Sequence, residues 1–130
     1  MIVDSSAMVA MLLEEPEGHL VDVAIAKSAV CRMSAVGLLE VSMILQSRRG
    51  SDAIRDLDLL ILRLRIEIVP FTESQARLAR EAFKRFGKGR HPAGLNFGDC
   101  MAYALAKETG EELLFLGSDF SKTDIVAATY

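Results

Sequence analysis

Tryptophan is absent from this 130-residue chain, and aromatic residues make up only 6% of it. The core must therefore be built from Leu, Ile, Val, Ala and Met. The few aromatics are too scattered to form a base-stacking platform. The two cysteines, Cys31 and Cys100, make neither a disulfide framework nor a clustered zinc pattern. No apolar run approaches the roughly 18 residues that a membrane span needs. The apolar opening stretch lacks a basic region and is interrupted by Asp4, which argues against a signal peptide. With no export signal, both thiols are expected to be reduced in a cytoplasm. Repeats, linkers and low-complexity segments are also missing. There is no excess of positive charge: the net charge of −3 argues at first against a nucleic-acid partner. If four acids share one metal-loaded site, however, the rest of the chain carries +1, and local distribution matters more than the total.

What is present is a hydrophobic fraction of 51% and a mean hydropathy of +0.26, which exclude a disordered chain. The length predicts a single domain, 1–130. The segment Met1-Ile2-Val3-Asp4-Ser5-Ser6-Ala7 reads as a short buried strand, an acid at its carboxyl end, and a helix capped by Ser5 or Ser6 that runs to about Glu15. Pro16 breaks that helix, and a second follows over 17–27. Val30 to Met33 is a strand. Ser34 caps a helix from Ala35 to about Arg49, ended by Gly50, and another spans 51–64. Ile66 to Val69 is a strand closed by Pro70. Thr72 and Gln75 resemble a capping box for a helix over 73–86. A glycine-rich basic loop, 87–95, precedes Asn96, which caps a helix over 97–109. Leu113 to Leu116 is a strand, 120–124 a turn, and Ile125 to Ala127 a last strand. Alternating strands and helices predict an α/β fold with a mostly parallel five-stranded sheet.

Four carboxylates stand out by position. Asp4 and Asp119 each follow an apolar strand, at the edge where ligands bind in open parallel sheets. Asp99 falls in the first turn of a helix. Glu40 is embedded in an apolar helix, an expensive place for an unpaired charge. Each alone has a plain reading: Asp99 complements a helix dipole, Asp4 caps a helix, Asp119 stabilises a turn, Glu40 pairs with a buried arginine. Together they repel one another unless a cation neutralises them. Mg²⁺ or Mn²⁺, with its preference for hard oxygen ligands, fits that requirement. His19 and His91 lie outside the four positions. Lys84, Arg85, Lys88, Arg90 and His91 cluster before Asp99, and Arg48 and Arg49 close the helix that carries Glu40. These are candidates to track a phosphate backbone, in a salt-dependent manner. Taken singly, each reads first as a solvated helix end or loop residue.

The ordered set resembles the PIN domain family, specifically the VapC-type ribonuclease toxins of toxin–antitoxin pairs. The matching segments are 1–7, Ser34 with Glu40, His91-Pro92-Ala93-Gly94-Leu95-Asn96-Phe97-Gly98-Asp99-Cys100, Leu113-Leu114-Phe115-Leu116-Gly117-Ser118-Asp119-Phe120, and Thr123-Asp124-Ile125. The resemblance implies a three-layer α/β sandwich and Mg²⁺- or Mn²⁺-dependent hydrolysis of RNA that inhibits translation. It also implies a homodimer neutralised by a cognate antitoxin. By matched position the acids are Asp4, Glu40, Asp99 and Asp119. Asp4 and Asp99 are the direct metal ligands, and Asp119 is carried over as a third. Glu40 and Asp119 are left with three roles: a second ion, action through water, or orientation of the nucleophile. Ser6 supports the site through its hydroxyl or caps the helix. Asp119 is preferred over Asp124 as the fourth acid because it follows the strand directly, with Asp124 supporting the turn.

Two other functions fit parts of the pattern. An aspartate-nucleophile phosphatase would use Asp4, but the haloacid-dehalogenase arrangement wants a second Asp two residues on, where Ser6 stands. A non-cleaving module would bind RNA or a partner through Mg²⁺.

Overall fold

Ile2 and Val3 form the first strand, β1, of a sheet completed by β2 (Arg32–Ser34), β3 (Glu67–Val69) and β4 (Leu113–Leu114), in the order β3-β2-β1-β4 with every pairing parallel. The computed structural model describes residues 1–130. Successive residues of a strand face opposite ways. Ile2 accordingly joins one core with α5 (Glu73–Phe86) and α6 (Phe97–Thr109), and Val3 joins the other with α1 (Ser5–Leu12), α2 (Gly18–Lys27), α3 (Ala35–Arg49) and α4 (Ser51–Leu64). Strand β4 (Leu113–Leu114) repeats the division, Leu113 to the first core and Leu114 to the second. All four side chains are buried, each worth about 1.5–3 kcal/mol of apolar transfer. This is the three-layer α/β sandwich expected from the sequence.

Strands β2 (Arg32–Ser34) and β3 (Glu67–Val69) complete the sheet, with Arg32, Met33 and Ser34 opposite Glu67, Ile68 and Val69. From β1 the chain builds outward through β2 and β3, then returns across β1 to place β4 on its other side. The order reverses between β1 and β4, and the crevice at their carboxyl ends is where an open α/β sheet binds ligands.

The expected fifth strand over 125–127 is absent as a strand. It contributes a single bridge, Leu113 to Ala127, with two hydrogen bonds of 2.9 Å. The reason lies ahead of the bridge, where side-chain bonds from α6 hold Asp124 just before the bridging segment. Helix α1 stops at Leu12 rather than near Glu15, because Leu13 caps it and Glu14 turns left-handed at φ 55°. Thr72 caps α5 as expected, but Gln75 does not close a box. Its amide is buried and donates to Pro70 O at 3.2 Å and to Glu108 at 2.8 Å. That contact sets the first turn of α5 against the last turn of α6, while Leu95 N–H donates to Phe86 O at the other end, so the two helices run antiparallel. No helix is long and apolar enough to cross a membrane.

Candidate active site

The site forms at the carboxyl edge of β1 and β4, and each acid arrives on a different element. Asp4 leaves β1 with its N–H bonded to Leu114 O at 2.9 Å. It caps α1 itself, correcting the expectation that Ser5 or Ser6 does so. Ser6 donates to Asp4 Oδ2 twice, from its N–H at 3.0 Å and its hydroxyl at 2.6 Å. Ser6 Oγ also accepts from Leu116 N–H, so one hydroxyl ties the carboxylate of β1 to the end of β4. Asp4 is only 5% exposed. Burial, followed by the charge of Glu40, raises its carboxyl above the usual range despite the bonds from Ser6 and Ser5.

Glu40 projects from α3, whose start is fixed by Ser34 accepting from Val36 N–H at 3.2 Å. Ser5 Oγ donates to Glu40 Oε1. The other oxygen, Oε2, lies against Gly98 so closely that a Cβ there would overlap it. Asp99 follows Gly98. Here the capping box is complete: Asp99 N–H donates to Asn96 Oδ1 and Asn96 N–H to Asp99 Oδ2, both at 2.9 Å. Burial, then the charges of Asp4, Asp119 and Glu40, raises Asp99 to about 6 against the opposing bond from Asn96. Asp119 lies near enough for its charge to act on Asp99. It is exposed, just ahead of the 3₁₀ turn Phe120–Lys122.

None of the four acids is paired with a cation; every ion pair in the molecule lies elsewhere. No three His, Cys, Asp or Glu side chains are drawn into a ready-made metal cluster. The carboxylates instead engage Ser5, Ser6 and Asn96. In donor type and uncompensated charge the group fits a hard divalent cation.

Asp124 is placed differently. It accepts from the Tyr103 hydroxyl at 2.7 Å and meets Lys107 at 2.9 Å and Arg85 at 3.4 Å. Burial acts to raise its carboxyl but is outweighed by bonds from Lys107 and Tyr103 and the charges of Lys107 and Arg85, so the net direction is downward. Its partners on α6 lie one and two turns beyond Asp99. Asp124 anchors the turn rather than joining the four acids.

The basic candidates separate into two groups. Lys88 and Arg90 are exposed, on a loop closed by the Gly87–Leu95 bridge and tied to the turn after Asp119 by Lys122 Nζ on Pro92 O at 3.4 Å. His91 is structural: Nδ1 accepts from Ala93 N–H at 3.0 Å and the ring meets Phe86 edge-on at 5.1 Å. Arg48 and Arg49 are exposed at the far end of α3, about 12–14 Å along its axis from Glu40. Two contributors went unread in the sequence, Ser5 and Gly98. A helix-weakening glycine at the second position of α6, immediately before an acid, was the available signal for Gly98.

The PIN domain family model, described as "PIN domain", matches residues 1–126. A Mycolicibacterium smegmatis protein named Ribonuclease VapC is 46% identical over 127 residues, 98% of each chain. Ribonuclease VapC30 of Mycobacterium tuberculosis is 43% identical over 125 residues, covering 96% of this chain and 95% of that one. Among solved structures, Mycobacterium tuberculosis VapC20, described as a sarcin-ricin loop cleaving toxin, superposes with a TM-score of 0.80 at 20% identity. It covers 96% of this chain and 95% of that one. VapBC2 from Rickettsia felis, bound to a promoter DNA fragment, gives 0.73 at 14% identity, covering 97% and 94%. These two likenesses are of fold alone.

Proposed function

The chain belongs to the PIN domain family, as a relative of the VapC ribonucleases, and from that premise we propose that it is a metal-dependent endoribonuclease toxin. In this reading it cuts RNA phosphodiesters, inhibits translation, self-associates as a homodimer and is held in check by a cognate antitoxin. The observation that carries the reading is the group of four carboxylates, delivered by four elements to one crevice and matched by no cation of the protein's own. Asp4, Asp99 and Asp119 would hold Mg²⁺ or Mn²⁺. When bound, such an ion neutralises charge on the phosphodiester and acidifies water. The chain's own residues do the rest. Ser6 fixes Asp4 by two bonds, and the capping box fixes Asp99. Glu40 is oriented by Ser5 and by the missing side chain at Gly98, so its free oxygen can take the proton of an attacking water.

Lys88 and Arg90 supply a cationic approach for the RNA backbone. For the antitoxin, a groove of about 620 Å³ runs between α1, α2 and α4, past Met11, Leu12 and Leu59, with Glu14, Glu15 and Asp56 among its rim residues. A segment seated there would present apolar and basic side chains. The test is cleavage of total RNA with the new ends mapped, in Mg²⁺ and in EDTA. Asp4→Asn and Asp99→Asn are expected to cut roughly 10²–10³-fold more slowly. Wild-type rates for Asp99→Asn in Mg²⁺ would refute the mechanism, and binding without new ends would leave a non-cleaving module.

A further inference from the structure

Phe97 is the first residue of α6, and its side chain is 74% exposed, against 42% for Phe83 and 48% for Tyr130. It packs into neither core and takes part in no aromatic or cation–π pair. Its backbone is nevertheless among the best fixed in the site. The capping box holds Asn96 before it, and Gly98 behind it is pressed against Glu40. An unpartnered phenyl ring therefore projects from a well-fixed backbone position, one residue from each of two groups that line the acidic crevice. The loop carrying Lys88 and Arg90 joins the chain just ahead of α6, through Lys88 N–H on Leu95 O at 3.0 Å; neither cation is in an ion pair, and the Arg90 guanidinium lies over the ring of Phe83 at 5.7 Å. An exposed ring on a surface that also carries unpaired cations is what single-stranded nucleic acid binds, a base on the ring and phosphates on the cations.

We propose that Phe97 stacks on a base of the RNA substrate that flanks the scissile phosphate. The inference rests on the RNA-cleaving reading above. Helix geometry sets which base it takes. Phe97 and Asp99 are two residues apart and project from opposite sides of the α6 axis, so the ring is displaced from the acid by about a helix diameter, ~10 Å. That distance suits a neighbouring nucleotide, not the one whose phosphate is attacked. Phe97 is therefore a binding and positioning residue: it acts on RNA affinity and KM and leaves kcat in place. It also requires an unstacked base, so the substrate is single-stranded at that position.

The experiment reads binding and cleavage separately. Affinity for a fluorescein-labelled, mixed-sequence single-stranded oligoribonucleotide is measured by anisotropy in Mg²⁺ on the Asp4→Asn background, with Phe97→Ala, Phe97→Leu and Phe97→Trp. Alanine and leucine are expected to weaken it about 5- to 150-fold and tryptophan to preserve it. The same RNA annealed to its complement should show no difference among the variants. In otherwise wild-type protein, Phe97→Ala should raise KM with kcat unchanged. Unchanged affinity for Phe97→Ala overturns the proposal. So does full affinity for Phe97→Leu, or a changed oligomeric state of Phe97→Ala in sedimentation, which would assign the ring to a protein contact. Loss of affinity in Phe97→Ala while wild-type protein leaves RNA uncut would overturn the cleavage reading and keep only the stacking of Phe97 on an RNA base. Absence of RNA binding by the Asp4→Asn protein overturns both.

Discussion

Replacing Asp99 by asparagine is expected to stabilise the metal-free protein near neutral pH while removing its activity. In the folded chain, burial and then the charges of Asp4, Asp119 and Glu40 lift Asp99 from 3.8 to about 6, against the bond from Asn96. Between those values the folded protein holds a proton that the unfolded chain has released. The protonated carboxyl's contribution is thus complete below about pH 4 and lost as pH rises through about 6. The whole interval is worth about 3 kcal/mol. Asp99 is only half-buried, and solvent screening at the mouth reduces this to about 1–2 kcal/mol. Asparagine keeps an oxygen for Asn96 N–H but gives up the attraction of a carboxylate to the helix N-terminus, about 0.3–1 kcal/mol. The net gain is about 1 kcal/mol, or ~3–5 °C in Tm for a chain of this size. Thermal unfolding followed by circular dichroism in EDTA, at about pH 4 and about pH 7.5, measures it. The variant should melt higher than wild type only at the upper pH. Saturating Mg²⁺ should reverse the order, because an ion that binds the folded state stabilises it and wild type binds it better. A variant that melts lower than wild type in EDTA at the upper pH, or a difference independent of pH, would refute this account of the site's charge.

Gly98→Ala should fold, since the overlapping atom is the tip of a flexible side chain and alanine gains about 0.8–1 kcal/mol of helix propensity. It should cleave RNA at least tenfold more slowly because Glu40 is displaced, which steady-state rates at matched stability would show. Ser6→Ala removes the hydroxyl shared by Asp4 and Leu116 N–H, and should lower stability by about 1–3 kcal/mol in urea melts and reduce cleavage as well. Asp124→Ala leaves the Tyr103 hydroxyl without its acceptor and should be destabilising by about 1–3 kcal/mol. It should spare kcat in the folded fraction, whereas Asp119→Ala should lower kcat with little effect on stability.

Much of the site was legible because its chemistry is local. Asn96 and Asp99 satisfy each other across one helical turn, and that reciprocity is written in residues three apart. Thr72 and Gln75 carry the same spacing, yet Gln75 turns to Glu108, 33 residues away, since a buried amide takes whatever partner the packing offers. Glu40 was marked by its apolar neighbours, but Ser5 and Gly98, which give it direction, arrive on α1 and α6. Arg48 and Arg49 looked close to Glu40 in sequence and are carried away by the rise of the helix. The apolar run at 125–127 reads as a strand. How many of its residues find a ladder depends on the ties to Asp124, which no local pattern records.

The shortness of β1 has a consequence for control. Ile2 is committed to one core, Val3 to the other, and Asp4 comes next with its amide bonded to Leu114. The carboxylate at the heart of the crevice is therefore indexed to both halves of the interior at once. Its amide should exchange with deuterium only through global opening, on the slowest timescale the molecule has. Loosening a loop would therefore shift Asp119, which is exposed ahead of its turn, while Asp4 stays in place. Any control exercised by local opening has to act on the outer acid and not on the inner one.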